Sequence, residues 1–325
     1  MDMNQLTNSI VFLDIKEFNE TSGPFCMSFG FDIKKIIFSI EKIGLVNKPY
    51  VRRNKEGFLD IITGYRRIMA LKALGWDRVP CVDLTDSGLS DTNFLILNLY
   101  DNLCTRSFND VEKCMIINRL LLHFSIEEIY GNYMNLLNIS SRREVDILTK
   151  INGFTGAAKD IIANRSIPIK TIESLIDLKD PSPSIILKWI DILKLSFNQQ
   201  ILFIDYIIDI SIKEEIDIQK LLNENIFVEF IMEDGQNIPQ KAKKFIDLLR
   251  ARKLPILTRN EKVFARQISD LDLPKGVRIK HTPFFEGPDY LLEISFMNGK
   301  RLKDTVDTLA RIKGLTEIED PWKEE

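Results

Sequence analysis

The chain has 325 residues, of which 45% are hydrophobic and 28% charged, with a formal net charge of −3. That length supports two or three domains with cores of their own, and the near-neutral balance excludes global attraction to nucleic acid, so any such contact needs a local basic surface. No segment approaches the roughly 18 uncharged apolar residues of a membrane span. The N-terminus, MDMNQLTNSIVFLD, lacks the basic start of a secretory signal, so the expected compartment is the cytoplasm, with no membrane partner. The four cysteines (Cys26, Cys81, Cys104, Cys114) form no CxxC pair, which argues against a disulfide framework or a structural zinc site. Two histidines, His123 and His281, leave little for histidine-based catalysis.

Residues 9–15, SIVFLDI, read as a first strand. FDIKKIIFSIEKI (31–43) sets Ile33, Ile36, Ile37, Ile40 and Ile43 at helical spacing, with Gly44 as a C-cap. KPYVRR and FLDII are two short strands around the turn NKEG. A helix follows from GYRRIMALKA to Gly75, and RVPCVDL is a further strand. Residues 1–91 are therefore expected to form a compact α+β domain. From 92 to 231 the period is helical almost throughout, with capping-box spacings at Ser125 with Glu128 and at Ser140 or Ser141 with Glu144. This stretch predicts an all-helical middle domain. MEDGQNIPQ (232–240) reads as a linker.

Residues 241–325 predict a small α/β module: two helices, a strand–turn–strand and a last helix. Phe284, Phe285, Tyr290 and Phe296 are its candidate core. Its first helix, KAKKFIDLLRARK, sets Lys241, Lys243, Lys244, Arg250, Arg252 and Lys253 against Asp247. Such a run reads either as a solvated face or as a nonspecific phosphate binder.

The stretch IITGYRRIMALKALGW (61–76) carries the sharpest chemistry. Arg66 and Arg67 stand where a strand becomes a helix, beside backbone N–H groups that have no intrahelical partner and bear partial positive charge. Gly64 lets an anion approach the backbone there. The alternative is that one arginine lies on the solvated face while the other pairs with an acid, with the Arg67 stem lying along Leu71 and Leu74.

In order and spacing, Gly44, Leu45, Pro49, Gly64, Arg66, Arg67, Ala70, Leu74, Gly75, Val79 and Pro80 resemble the pattern of the N-terminal domain of the ParB partition-protein family, within the ParB/sulfiredoxin superfamily. The resemblance runs over about residues 8–175. It implies a ParB/sulfiredoxin-like α+β domain in which Gly64, Tyr65, Arg66 and Arg67 grip the phosphates of a cytidine nucleotide, CTP. A second family motif, Glu-Asn-x-x-Arg before a helix with an early acid, is matched in YDNLCTRSFNDVEKC by Asp101, Asn102 and, one residue late, Arg106. It implies that Asn102 and Arg106 also reach the nucleotide, that Asp101 and Asn102 hold Mg²⁺, and that Asp101 supports hydrolysis. Aspartate for glutamate shortens the reach by one methylene, so slow turnover at most is expected. From residue type alone, Asp101 and Asn102 read equally as helix caps.

The family's Gln-Pro-Arg segment is replaced here by NETSGPFCMSF, which offers Ser22, Gly23 and Ser28 instead. Tyr65 stands where other enzymes of the superfamily keep a catalytic cysteine or histidine. FSIEEIYGNYMNLLNISSRREVDILTKI corresponds to the family's helix-turn-helix and implies DNA contact through Ser140, Ser141, Arg142 and Arg143. Glu144 and Asp146 oppose a polyanion, so a helical bundle without DNA contact stays open. The resemblance as a whole implies a nucleotide-binding, nucleoid-associated homodimer with DNA and a partner ATPase, acting in chromosome or plasmid partition. The alternatives are a metal-dependent nuclease using Asp101 with the arginines, or an interaction protein with a degenerate pocket.

Overall fold

The computed structural model describes residues 9–18, 23–165, 167–179, 181–232, 237–282, 287 and 289–318. Two compact units divide the chain, 1–201 and 202–325. The stretches expected from sequence, 1–91, 92–231 and 241–325, are distributed over these two.

The first unit opens with β1 (Ser9–Asp14), α1 (Lys34–Ile43), β2 (Tyr50–Arg53), β3 (Leu59–Thr63), α2 (Tyr65–Ala73) and β4 (Arg78–Asp83). The strands form one sheet in the order β1-β4-β2-β3, with β1 antiparallel to β4, β2 antiparallel to β3, and β2 parallel to β4. Alternation turns Val51, Ile61, Val79 and Cys81 to one face, where they bury Ile40 of α1 and Ile68, Ala70 and Leu71 of α2. Full burial of Ile68 or Leu71 stabilises the layer by about 1.5–3 kcal/mol each. Of the α1 isoleucines only Ile40 is fully buried, and Ile43 is 68% exposed. The fold is α+β, as its pattern predicts.

Helices then follow one another: α3 (Asp91–Leu103), α4 (Asp110–Leu120), α5 (Ile126–Asn132), α6 (Arg142–Lys150), α7 (Gly156–Asn164), α8 (Ile169–Ile176) and α9 (Ser182–Ile192). Capping boxes start α3 at Ser90, α4 at Asn109 and α5 at Ser125. α10 (Phe197–Lys213) carries the boundary between the units.

The second unit continues with α11 (Ile218–Leu222), α12 (Asn225–Met232), α13 (Ile238–Lys253), α14 (Pro255–Asp270), β5 (Val277–His281), β6 (Tyr290–Ile294) and α15 (Gly299–Leu309). Phe203 and Phe227 each bring a ring centroid to 5.6 Å from that of Phe245. Tyr290 stacks on Phe264 at 5.2 Å. Phe296, expected in the core, is 53% exposed. Phe284, Phe285 and Ser22 lie outside the described residues.

Half of the basic run on α13 is paired with carboxylates, at its C-terminal end. Arg250 makes a two-point pair with Glu261, Arg252 bridges Glu214 and Glu224, and Lys253 meets Asp205 and Asp209. A phosphate-binding face over the whole run is therefore not what folds.

Hydrogen bonds from Arg252 and Arg250 hold Glu214 and Glu261 below their ordinary value of 4.5. Carboxylates depressed in the folded state contribute their full stability above the unfolded value and lose it as pH falls through the folded one. The destabilisation caused by Arg252→Met, measured by denaturant melts, should therefore be clear at neutral pH and shrink toward zero well below 4.5. An equal loss at both pH values would contradict this ion-pair account.

Cys26, Cys81 and Cys114 are buried and Cys104 is exposed. Burial pushes the Cys81 thiol up to about 12. A chromogenic disulfide reagent should thus titrate one thiol rapidly in the native chain and all four in denaturant.

Candidate anion site at the start of α2

Strand β3 ends at Thr63, and the backbone turns into α2 through Gly64 at φ 88°, ψ 19°, a left-handed conformation. A Cβ on Gly64 would lie 3.0 Å from Pro49 Cα and 3.1 Å from Pro49 Cβ. Glycine is thus required both by the backbone angle and by the close approach. Gly64 is the N-cap and offers no side-chain acceptor to the first turn. The positive end of α2 is left uncapped beside a cleft of about 880 Å³.

Gly64, Tyr65, Arg66, Arg67, Asp101, Asn102 and Arg106 all line that cleft. Residues 34 or more apart in sequence meet because α3 passes the start of α2, with the end of β3 held to α3 by Asn98. Buried Asn98 donates to the carbonyls of Ile62 and Phe25. Isoleucines 36 and 40 of α1 and Leu45 supply an apolar wall, and Asp32 and Lys35 a polar rim.

The arginines are held in two groups. Arg66 Nη2 donates to Glu112 Oε1 at 2.6 Å and Arg66 Nε to Ser28 Oγ at 3.1 Å, with the guanidinium 4.7 Å from the Phe31 ring. Arg106 donates to Glu112 Oε2 at 2.6 Å, to the Met27 carbonyl at 2.6 Å and to Asn102 Oδ1 at 2.8 Å. The Glu112 side chain is only 1% exposed and also accepts the N–H groups of Phe29 and Asn109. Two cations therefore share one carboxylate, which leaves a net positive charge against the cleft. Burial lowers the Arg106 pKa, opposed by Glu112, and the group remains cationic at neutral pH. Arg67 forms the second, looser group. It donates to the Asn47 carbonyl at 2.8 Å and to Asp101 Oδ2 at 3.2 Å, with the Asp101 side chain 42% exposed.

The expectation that one arginine pairs with an acid is thus met by both, yet both also line the cleft. The capping alternative for Asp101 and Asn102 is overturned: they lie in the last turn of α3, whose C-cap is Cys104. Asn102 is committed on both sides, donating to Asn98 and accepting from Arg106. Asp101 is left as the carboxylate of that pair open to a cation, and among the described residues no group of three or more His, Cys, Asp or Glu could hold a metal ion. One carboxylate fits Mg²⁺ that arrives on phosphates and keeps its waters, and does not fit an all-protein cage.

Sequence reasoning missed Glu112 and Asn98 by number. Glu112 is the N3 residue of the α4 capping box NDVE, which signals a helix start and conceals the two arginine partners. Asn98 interrupts the buried stripe Phe94, Leu95 and Leu99, and a lone amide there is the only sign that it holds backbone carbonyls.

The remaining predicted residues lie elsewhere in the same unit. Ser141 caps α6 by accepting the Glu144 N–H, and the Ser140 N–H donates to Glu144. Arg142 and Arg143 are exposed and face Glu127 at 3.3 Å and Glu173 at 2.5 Å. Ile129, Val145 and Leu148 are buried beneath α5 and α6. The Ser141 hydroxyl is therefore spent on the helix start, and the arginines form a surface pair at its N-terminus.

The first unit is thus a four-stranded α+β layer with an arginine-lined cleft at a glycine-capped helix start, followed by a run of helices. No family model matches the chain. Among curated proteins it is 27% identical over 137 residues to the probable chromosome-partitioning protein ParB of Chlamydia muridarum, covering 37% of this chain and 47% of that protein. It is 24% identical over 149 residues to the nucleoid occlusion protein of Geobacillus sp., covering 46% of this chain and 50% of the relative. The chain thus spans about half the length of the curated relatives it matches. A solved structure of C-terminally truncated ParB from Caulobacter crescentus complexed with CTP-gamma-S aligns with 56% of this chain and 99% of that one, at 18% identity and a TM-score of 0.26, too loose to bear on the site. Over up to about half of its length, the chain is thus similar to curated ParB and nucleoid occlusion proteins. Among the described residues, no helix is long and apolar enough to cross a membrane.

Proposed function

We propose that the cleft binds a nucleoside triphosphate, with CTP the first candidate, and that binding regulates a DNA-associated dimer acting in chromosome or plasmid partition. The observation that carries this reading is the convergence on one cleft of an uncapped helix N-terminus, three arginines and an apolar wall. The arginine end suits phosphates, and Ile36, Ile40 and Leu45 suit a base and sugar. Mg²⁺ on the phosphates would offset their charge, with Asp101 as the protein oxygen facing it. Since Asp101 also pairs with Arg67, a triphosphate at Arg67 would release it toward the cleft. Bias of a two-state equilibrium then requires only that one state bind the nucleotide better. DNA contact would fall to Arg142 and Arg143 at the start of α6, weakened because Glu127 and Glu173 compete for them, and salt-dependent through release of counterions from the phosphates. A partner ATPase is proposed from the resemblance to ParB proteins alone.

The test is calorimetry with the four common nucleoside triphosphates, with and without Mg²⁺. Arg67→Ala should weaken the preferred one about ten- to a hundredfold, the worth of a charged hydrogen bond of about 1.5–3 kcal/mol. Its melting temperature should hardly change, because its partners are two carbonyls and a half-exposed acid. No binding, or unchanged affinity in Arg67→Ala, would refute the assignment. Phosphate release should be slow in the native chain; fast release abolished by Asp101→Ala, or metal-dependent plasmid cutting, would favour an enzyme.

A further inference from the structure

Helix α14 packs one side and leaves the other open. Leu257 and Phe264 are buried, with Ile268 against them. On the opposite side Arg259, Lys262, Val263 and Arg266 are exposed and line a groove of about 430 Å³, with Ala251 and Pro255 beside them and Asp270 as its one carboxylate among the described residues. The cations of this unit differ in their surroundings. Arg250, Arg252 and Lys253 each meet carboxylates, whereas among the described residues Arg259, Lys262 and Arg266 meet none. Neighbouring like charges three and four residues apart on a helix repel. An anionic partner relieves that repulsion.

The form of the groove selects among anions. The three cations recur at three and four residues, about 4.5 and 6 Å along the axis, which is the repeat of carboxylates on one face of another helix. Val263, 47% exposed, lies among them, and Ala251 and Pro255 extend the apolar surface. A phosphate backbone makes no use of an apolar floor, while the apolar seam of an amphipathic helix does.

We propose that this face of α14 docks an acidic amphipathic helix of a partner protein, with carboxylates at Arg259, Lys262 and Arg266 and an apolar side chain at Val263. The probe is a fluorescent helical peptide of about 18 residues, long enough to form stable turns, with glutamates at that repeat flanking a leucine seam. Anisotropy with the full chain at about 0.15 M salt should show binding. R259E/R266E should weaken it at least tenfold, and a peptide with lysine for every glutamate should prefer that variant to the native chain. K243E/K244E, which reverses exposed cations on α13, should leave affinity unchanged, and circular dichroism should show all variants folded. The proposal fails if the acidic peptide does not bind, if K243E/K244E weakens it equally, or if duplex DNA competes through the same two arginines at comparable affinity.

Discussion

Glu112→Ala is expected to destabilise the first unit by about 3–5 kcal/mol, the cost of removing one partner from a buried ion pair. The Glu112 side chain is 1% exposed and takes four donors: Arg66, Arg106 and the N–H groups of Phe29 and Asn109. Removing it leaves two guanidinium groups, 23% and 14% exposed, without a counter-charge. It also releases the N–H of Phe29, next to Ser28, which lines the cleft. Against a typical stability of about 5–15 kcal/mol, such a loss is severe. Glu112→Gln should behave almost as badly, because it keeps the volume and loses the charge. Glu112→Met combined with Arg66→Met should cost less than the sum of the two single changes, since the pair is coupled. Denaturant melts decide the matter: a loss below about 1 kcal/mol for Glu112→Ala would place this residue among ordinary surface pairs.

The second large effect belongs to Gly64. Alanine there must adopt φ 88°, at about 1–2 kcal/mol for a left-handed residue, and its Cβ must push Pro49 Cα from 3.0 Å. Buried Pro49 is backbone at the mouth of β2 and cannot swing away, so the start of α2 has to move. Gly75 supplies the control, because it has φ 70° with nothing within 4 Å of an added Cβ. Gly75→Ala should show the conformational cost alone. Gly64→Ala should be less stable than Gly75→Ala and should lose triphosphate affinity beyond Arg67→Ala, since it displaces the helix terminus with both arginines. Equal melting temperatures and undiminished nucleotide binding in Gly64→Ala would mean that the close approach to Pro49 has no role in shaping the cleft.

Much of the first unit was legible from residue order. The short apolar run of SIVFLD and the helical spacing of the α1 isoleucines are signals carried by neighbours along the chain. So are the capping box at Ser125 and the Gly64 turn, because strand, helix and cap depend on side chains within about four residues of one another. Gly64, Arg66 and Arg67 could be chosen for the same reason, and the resemblance added Asp101, Asn102 and Arg106. What these side chains meet was not legible. Arg66 finds Glu112 46 residues away, Arg252 finds Glu214 38 residues away, and the order β1-β4-β2-β3 joins strands distant in the chain. Charge compensation depends on distance in space and on the exclusion of water, and neither is written in local spacing. Local residue order thus carried the helices, strands, caps and the Gly64–Arg67 turn. The folded chain was needed to show that Glu112 anchors two arginines, that Arg250, Arg252 and Lys253 pair with carboxylates, and that among the described residues Arg259, Lys262 and Arg266 do not.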